Sequence, residues 1–206
     1  QQLYSKMGYY YNGTKGCKPT AVASGASFSC TEVDFTSTGL KNDITRNAIE
    51  EVVWNLGGTD AFNTSTASMF YTAERGTTVY TGRPTIWTGK VGLMYPSDYG
   101  YATSGGTTKD RAACLAKELF NWDSSDLNDD CKENDYLYKI SYQWTLAPHS
   151  VNDDSLFFVD WGGSVGYLLA DGTYAVRPTL YLKSNIKVKS GTGESSDPYQ
   201  LKLGID

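Results

Sequence analysis

The side chains with the reactivity to do chemistry are few, and their spacing limits what that chemistry is. One histidine, His149, is present in 206 residues. A Ser/His/Asp or Cys/His relay needs a base that takes up and returns a proton, and His149 alone would have to supply it. It follows Pro148, no Gly-x-Ser-x-Gly elbow accompanies it, and it reads as a surface loop residue. The Gly-rich stretches lack the lysine of a phosphate loop. Two carboxylates can converge from anywhere in a chain, but no spacing here singles out a pair. Asp126, Asn128 and Asp130 have the i, i+2, i+4 spacing that opens a calcium loop. The glycine such a loop requires is missing, and Leu137 stands where its closing glutamate belongs. The segment reads as a solvated acidic loop. No catalytic residue, metal or other cofactor is expected.

The 4 cysteines are Cys17, Cys30, Cys114 and Cys131. None sits in a Cys-x-x-Cys pair, so with one histidine a zinc set is poorly supported. Proximity favours Cys17–Cys30 and Cys114–Cys131. Bridges over such loops point to an oxidising compartment, extracellular or at the cell surface. A net charge of −5 without a Lys/Arg cluster argues against nucleic acid and anionic membranes. No apolar run is long enough to span a bilayer. The start, Gln1-Gln2-Leu3, reads as a chain whose export or anchoring segment has been removed. The 16 Tyr and 5 Trp suit a binding surface, and equally a β-rich fold with Tyr in its strands.

Residues 1–30 form an N-terminal segment: the end of a truncated helix, then the loop between Cys17 and Cys30. Residues 31–206 form the main domain, opening with a short strand around Val33 and Phe35. A helix is predicted over 43–56, capped by Asn42 or Asp43. Its face carries Ile44, Ala48, Ile49, Val52, Val53 and Leu56, and Gly57-Gly58 would stop it. Residues 68–75 and 77–81 read as extended, 85–95 as strand, and Pro96-Ser97-Asp98 as a turn. A second helix is predicted over 108–121, capped by Thr107 or Thr108. It carries Cys114, and its apolar face includes Leu115, Leu119 and Phe120. From 136 to 182 the chain reads as strands, with hairpin turns at Gly162-Gly163 and Asp171-Gly172. Helices early and strands late describe an α+β domain.

Trp144-Thr-Leu-Ala-Pro148 and Tyr174-Ala-Val-Arg-Pro-Thr-Leu-Tyr-Leu182 resemble the end of a C-type-lectin-like domain. They are similar in particular to the variable proteins of bacterial diversity-generating retroelements, and the related formylglycine-generating-enzyme fold ends in a comparable strand. Val91-Gly-Leu-Met-Tyr-Pro-Ser-Asp-Tyr-Gly-Tyr-Ala102 and Tyr181-Leu-Lys-Ser-Asn185 resemble bacterial surface proteins with a pilin-like N-terminal helix. Together these motifs span residues 85–201. The resemblance implies a C-type-lectin-like (formylglycine-generating-enzyme-like) fold with two helices and a mostly antiparallel twisted sheet. It also implies a non-catalytic extracellular ligand-binding or adhesion domain with a diversified face over 149–174. The partner would be a protein or glycan on another cell or phage, and a preceding helix would join a pilus or surface assembly. The residues it assigns to the face are His149, Asn152, Asp153, Asp154, Ser155, Phe158, Asp160, Trp161, Ser164, Tyr167, Leu168, Leu169 and Asp171. Trp161 needs a different parent codon from the others. A structural pilin or pseudopilin head and a calcium-dependent glycan-binding lectin are the competing readings.

The residues themselves point to the same stretch. If Phe157 and Val159 face the core, alternation turns Phe158 and Asp160 outward. Exposed Phe, Trp, Tyr and Leu among Asp and Ser are the mixture of a paratope. The alternative is that these residues cover a second small core.

Overall fold

The apolar residues between Ile44 and Leu56 serve two elements rather than one helix. The computed structural model describes residues 43–106, 109–123, 131, 137–138, 141–170, 174–194 and 196–203. In it, helix α1 runs Asp43–Ala48 and ends there. The backbone beyond it turns to the C-terminal segment: Glu50 N donates to Tyr181 O at 2.8 Å, and Lys183 N to Ala48 O at 2.9 Å. Strand β1, Val52–Asn55, then lies antiparallel to β2, Ile86–Gly89. The helix expected over 43–56 is thereby corrected. Val52, Val53 and Trp54 are β-branched or aromatic and suit a pleated surface. Alternation exposes Val53 and buries Trp54. Gly57-Gly58 stops no helix. A Cβ on Gly58 would stand 2.0 Å from the Pro148 carbonyl oxygen, so glycine permits the close approach that lets Thr59 bridge to His149.

Helix α2, Ala67–Glu74, replaces the extended chain expected at 68–75. Thr66 caps it, accepting from Met69 N at 3.4 Å. Its buried positions are Ala67, Phe70 and Glu74, a helical spacing disguised by a charged residue. Helix α3, Pro96–Tyr101, stands where a turn was expected. Pro96 occupies a helix start, where its missing N–H costs nothing, and Asp98 Oδ2 accepts from Tyr95 N at 2.9 Å. Helix α4, Arg111–Ala116, is shorter than the predicted 108–121 and is capped by Asp110, which accepts from Ala113 N at 3.0 Å. Thr107 and Thr108 lie outside the described residues. A 3-10 turn, Leu119–Asp123, continues the chain, and another, Phe62–Thr64, precedes α2. The described residues thus hold four α-helices, not two.

The strands after Cys131 agree better with expectation. Strands β4 (Gln143–Pro148), β5 (Ser155–Val159), β6 (Val165–Leu169) and β7 (Ala175–Val176) form a sheet in the order β6-β5-β4-β7. Its neighbours are antiparallel except β4 and β7. Strand β8, Pro178–Leu180, pairs antiparallel with β3, Val91–Leu93. Strands β9 (Lys187–Ser190) and β10 (Gln200–Lys202) form a separate antiparallel pair. The chain is a mixed α+β fold with mostly antiparallel sheets.

Strands β4 and β5 are buried throughout. Phe157, Val159 and Val165 join a core with Phe70, Tyr99, Trp122 and the Cys114–Cys131 disulfide. Leu156 and Phe158, on the opposite face of β5, join a second core with Trp54, Tyr95 and Trp144. Cys17 and Cys30 lie outside the described residues, as do the first strand and Asp126, Asn128 and Asp130. No helix among the described residues is long and apolar enough to cross a membrane.

Candidate functional site

The β5–β6 hairpin carries most of the expected binding residues, and its turn is the best-built part of it. The turn closes at Asp160–Ser164, where Gly162-Gly163 predicted one. Asp160 N donates to Ser164 O at 2.9 Å, and Ser164 N donates to Asp160 Oδ1 at 2.9 Å. Gly163 has φ 95°, a backbone region that favours glycine. Three bonds from outside fix the turn to the body. Tyr99 Oη donates to Gly163 O at 2.8 Å, Ser164 Oγ to Phe120 O at 2.7 Å, and Tyr138 Oη to Trp161 O at 2.8 Å. On this immobilised turn the Trp161 side chain is 58% exposed. Phe120, 43% exposed, is tied to the same turn through its carbonyl, which accepts from Ser164 Oγ.

Sequence reasoning missed Phe120 and Tyr138 as parts of this surface. Phe120 was assigned to the apolar face of a helix that in fact ends at Ala116. Tyr138 was read as strand, and its role is visible only once its hydroxyl meets the Trp161 carbonyl.

The other expected residues do not gather here. Ser155 pairs with Leu169, and Val159 with Val165, at opposite ends of the hairpin. Four residue steps separate those ends, about 13 Å. Asn152, Asp153, Asp154, Leu168 and Leu169 therefore sit at the far end from Trp161. Asp153, Leu168 and Leu169 are exposed, and Asn152, Asp154, Asp160 and Tyr167 are half-buried. The loop at the far end is tied down by Arg83, which donates to the Asp153 carbonyl, and by Ala170 N, which donates to Asp154 O at 2.7 Å.

Four expected contact residues are buried and are corrected: His149, Ser155, Phe158 and Ser164. Phe158 does not face out, because the face of β5 opposite Phe157 is covered by the second core. Its ring lies 5.4 Å from Tyr142, 6.2 Å from Trp144 and 6.2 Å from Tyr174. Asp171 lies outside the described residues.

His149 is no surface residue. Its ring lies 4.3 Å from Tyr167 and 5.9 Å from Phe157. Nδ1 accepts from Val151 N and Asn152 N, each at 3.3 Å. Those bonds need an unprotonated Nδ1. Burial holds the imidazole below its ordinary value, opposed by Asp60 and assisted by Arg83. The histidine organises a loop. Arg177 is likewise structural: Nη2 donates to Leu137 O at 3.0 Å and to Gln143 Oε1 at 3.0 Å.

Comparison of the chain with protein-family models, with curated proteins and with solved structures returned no match.

Proposed function

We propose that this chain is a non-catalytic extracellular or cell-surface ligand-binding domain, with a C-type-lectin-like fold of the retroelement variable-protein kind. It engages a protein or glycan on another cell or phage through the Trp161 turn. The observation that carries this reading is a tryptophan 58% exposed on a turn held from both sides by hydrogen bonds. Exposing a Trp costs solvation, while fixing the backbone beneath it lowers the entropy lost on association. An anchor of this type dominates binding energy at many interfaces. The Cys114–Cys131 bridge supports an oxidising setting.

Among the described residues, diversification in this reading falls first on the exposed side chains Trp161, Asp153, Leu168 and Leu169. The test titrates fluorescently labelled domain onto intact bacterial cells and phage particles. Trp161→Ala is expected to weaken binding about tenfold or more with the melting temperature unchanged. Equal binding by the variant removes the turn from the interface. Diversification has its own test in the neighbouring DNA. It requires a reverse transcriptase and a near-copy of the 149–182 coding segment that differs at adenines, and without that template the proposal shrinks to a fixed binding surface.

A further inference from the structure

A second concave surface lies away from the hairpin, where the end of α3, the start of α4 and strand β8 meet. Its cavity volume is about 680 Å³, within the range of small-molecule sites. Met94 is buried at its base, Leu180 adds an apolar wall, and Tyr101 and Tyr181 expose their rings at it.

Two charged side chains share the cleft without pairing. Arg111 is anchored: Nε donates to Thr103 O at 3.0 Å and Nη2 to Tyr101 O at 2.8 Å. Its Nη1 has no hydrogen bond among the described residues. Asp98 Oδ2 accepts from Tyr95 N at 2.9 Å, and Oδ1 has no partner among the described residues. The cleft therefore offers one fixed donor, one fixed acceptor and two aromatic faces. A charged ligand would meet one attraction and one repulsion there. An uncharged, hydroxyl-bearing ligand satisfies both: its O–H donates to the carboxylate and its oxygen accepts from the guanidinium. The C–H face of a pyranose ring is the natural partner for an exposed tyrosine ring. The chain's net charge of −5 further disfavours an anionic ligand.

We propose that this cleft, lined by Asp98, Tyr101, Arg111 and Tyr181, binds a neutral oligosaccharide. It needs no metal ion, and it is separate from the Trp161 turn.

The test uses printed neutral oligosaccharides of glucose, mannose and N-acetylglucosamine, beside sulfated ones, in the presence of a chelator. Wild type is expected to bind at least one neutral series. Tyr181→Ala and Tyr101→Ala should each weaken that binding about tenfold, while Trp161→Ala leaves it unchanged. A titration of wild type with the bound sugar, followed by NMR, should shift the ring signals of Tyr101 and Tyr181 and not the indole signal of Trp161. That readout does not depend on any variant folding. The proposal is overturned if no neutral oligosaccharide binds at about 1 mM or if sulfated probes are preferred. It is equally overturned if the chelator abolishes binding or if the shifts fall on Trp161. Loss of cell binding in Trp161→Ala together with unaltered sugar binding would separate the two sites.

Discussion

Glu74 makes a prediction about how stability depends on pH. It ends α2, and its side chain is fully buried. Oε1 accepts from Ser97 N at 2.9 Å, Oε2 accepts from Ser97 Oγ, and Arg75 Nη1 donates to Oε2 at 3.1 Å. The carboxylate thereby fastens α2 to the first turn of α3. Burial pushes its pKa from 4.5 up to about 7; Ser97 and Arg75 pull the other way, and Asp98 adds a little to the rise. The folded chain then holds this proton more tightly than the unfolded chain. Its contribution to stability is full below 4.5 and is lost as pH rises through about 7. The gap amounts to about 3 kcal/mol in all, of which about 2 kcal/mol falls between pH 5 and pH 7. His149 works in the opposite sense. Its lowered pKa gives stability above 6.5 that is lost on acidification. Comparison with Glu74→Gln cancels the histidine, because both proteins contain it. Asp98, raised by its own burial, is present in both as well, and its charge is the smallest of the influences on Glu74. Urea denaturation at pH 5, 6, 7 and 8 should show wild type losing about 2 kcal/mol relative to Glu74→Gln between pH 5 and pH 7. If the two proteins keep a constant difference across that range, Glu74 is ionised throughout and the burial argument fails.

Two other perturbations follow from the cores. Replacing Cys114 and Cys131 together by alanine opens a bridge of sequence separation 17 and should cost about 3 kcal/mol in urea denaturation; unchanged stability would mean the bridge does not form in solution. Phe158→Ala should cost about 3–5 kcal/mol, since that ring is buried among Tyr142, Trp144 and Tyr174. Leu169→Ala, at an exposed position one strand away, should stay within about 0.5 kcal/mol. Similar losses from the two substitutions would refute the placement of β5 between two cores.

The later half of the chain was more legible than the earlier half. The strands around Trp144 and Phe157 and the turn at Gly162-Gly163 follow from local pattern and turn chemistry. The first helix did not. Ile44 to Leu56 satisfies a helical period, yet the chain changes state after Ala48 because the backbone of residues 181–183 is there to pair with it. No local signal reports such a distant partner. Helix α2 escaped because its buried face includes Glu74, whose partner Ser97 lies 23 residues on. Phe158 escaped for a related reason. Alternation assigns one face of a strand to solvent, and β5 has no solvent face. The expected binding residues look contiguous in sequence, but the hairpin places them at two ends.

Which of those residues can vary without loss of the fold depends on which atoms hold them. Tyr138 and Tyr99 grip the turn through the carbonyls of Trp161 and Gly163. A carbonyl is the same in every residue, so the side chain at 161 can change while the bond stays. Asp160 and Ser164 hold the turn through their own side chains, and His149 holds its loop through Nδ1. Substitution there removes the bond itself, at about 1 kcal/mol or more for each buried group left unpaired. Among the described residues of 149–174, position 161 therefore combines freedom to vary with high exposure and a fixed backbone. Leu168 and Leu169 share the exposure, on strand backbone that β5 pairs on one side. A surface diversified by mutation would concentrate its change at such positions and spare those whose side chains complete the scaffold.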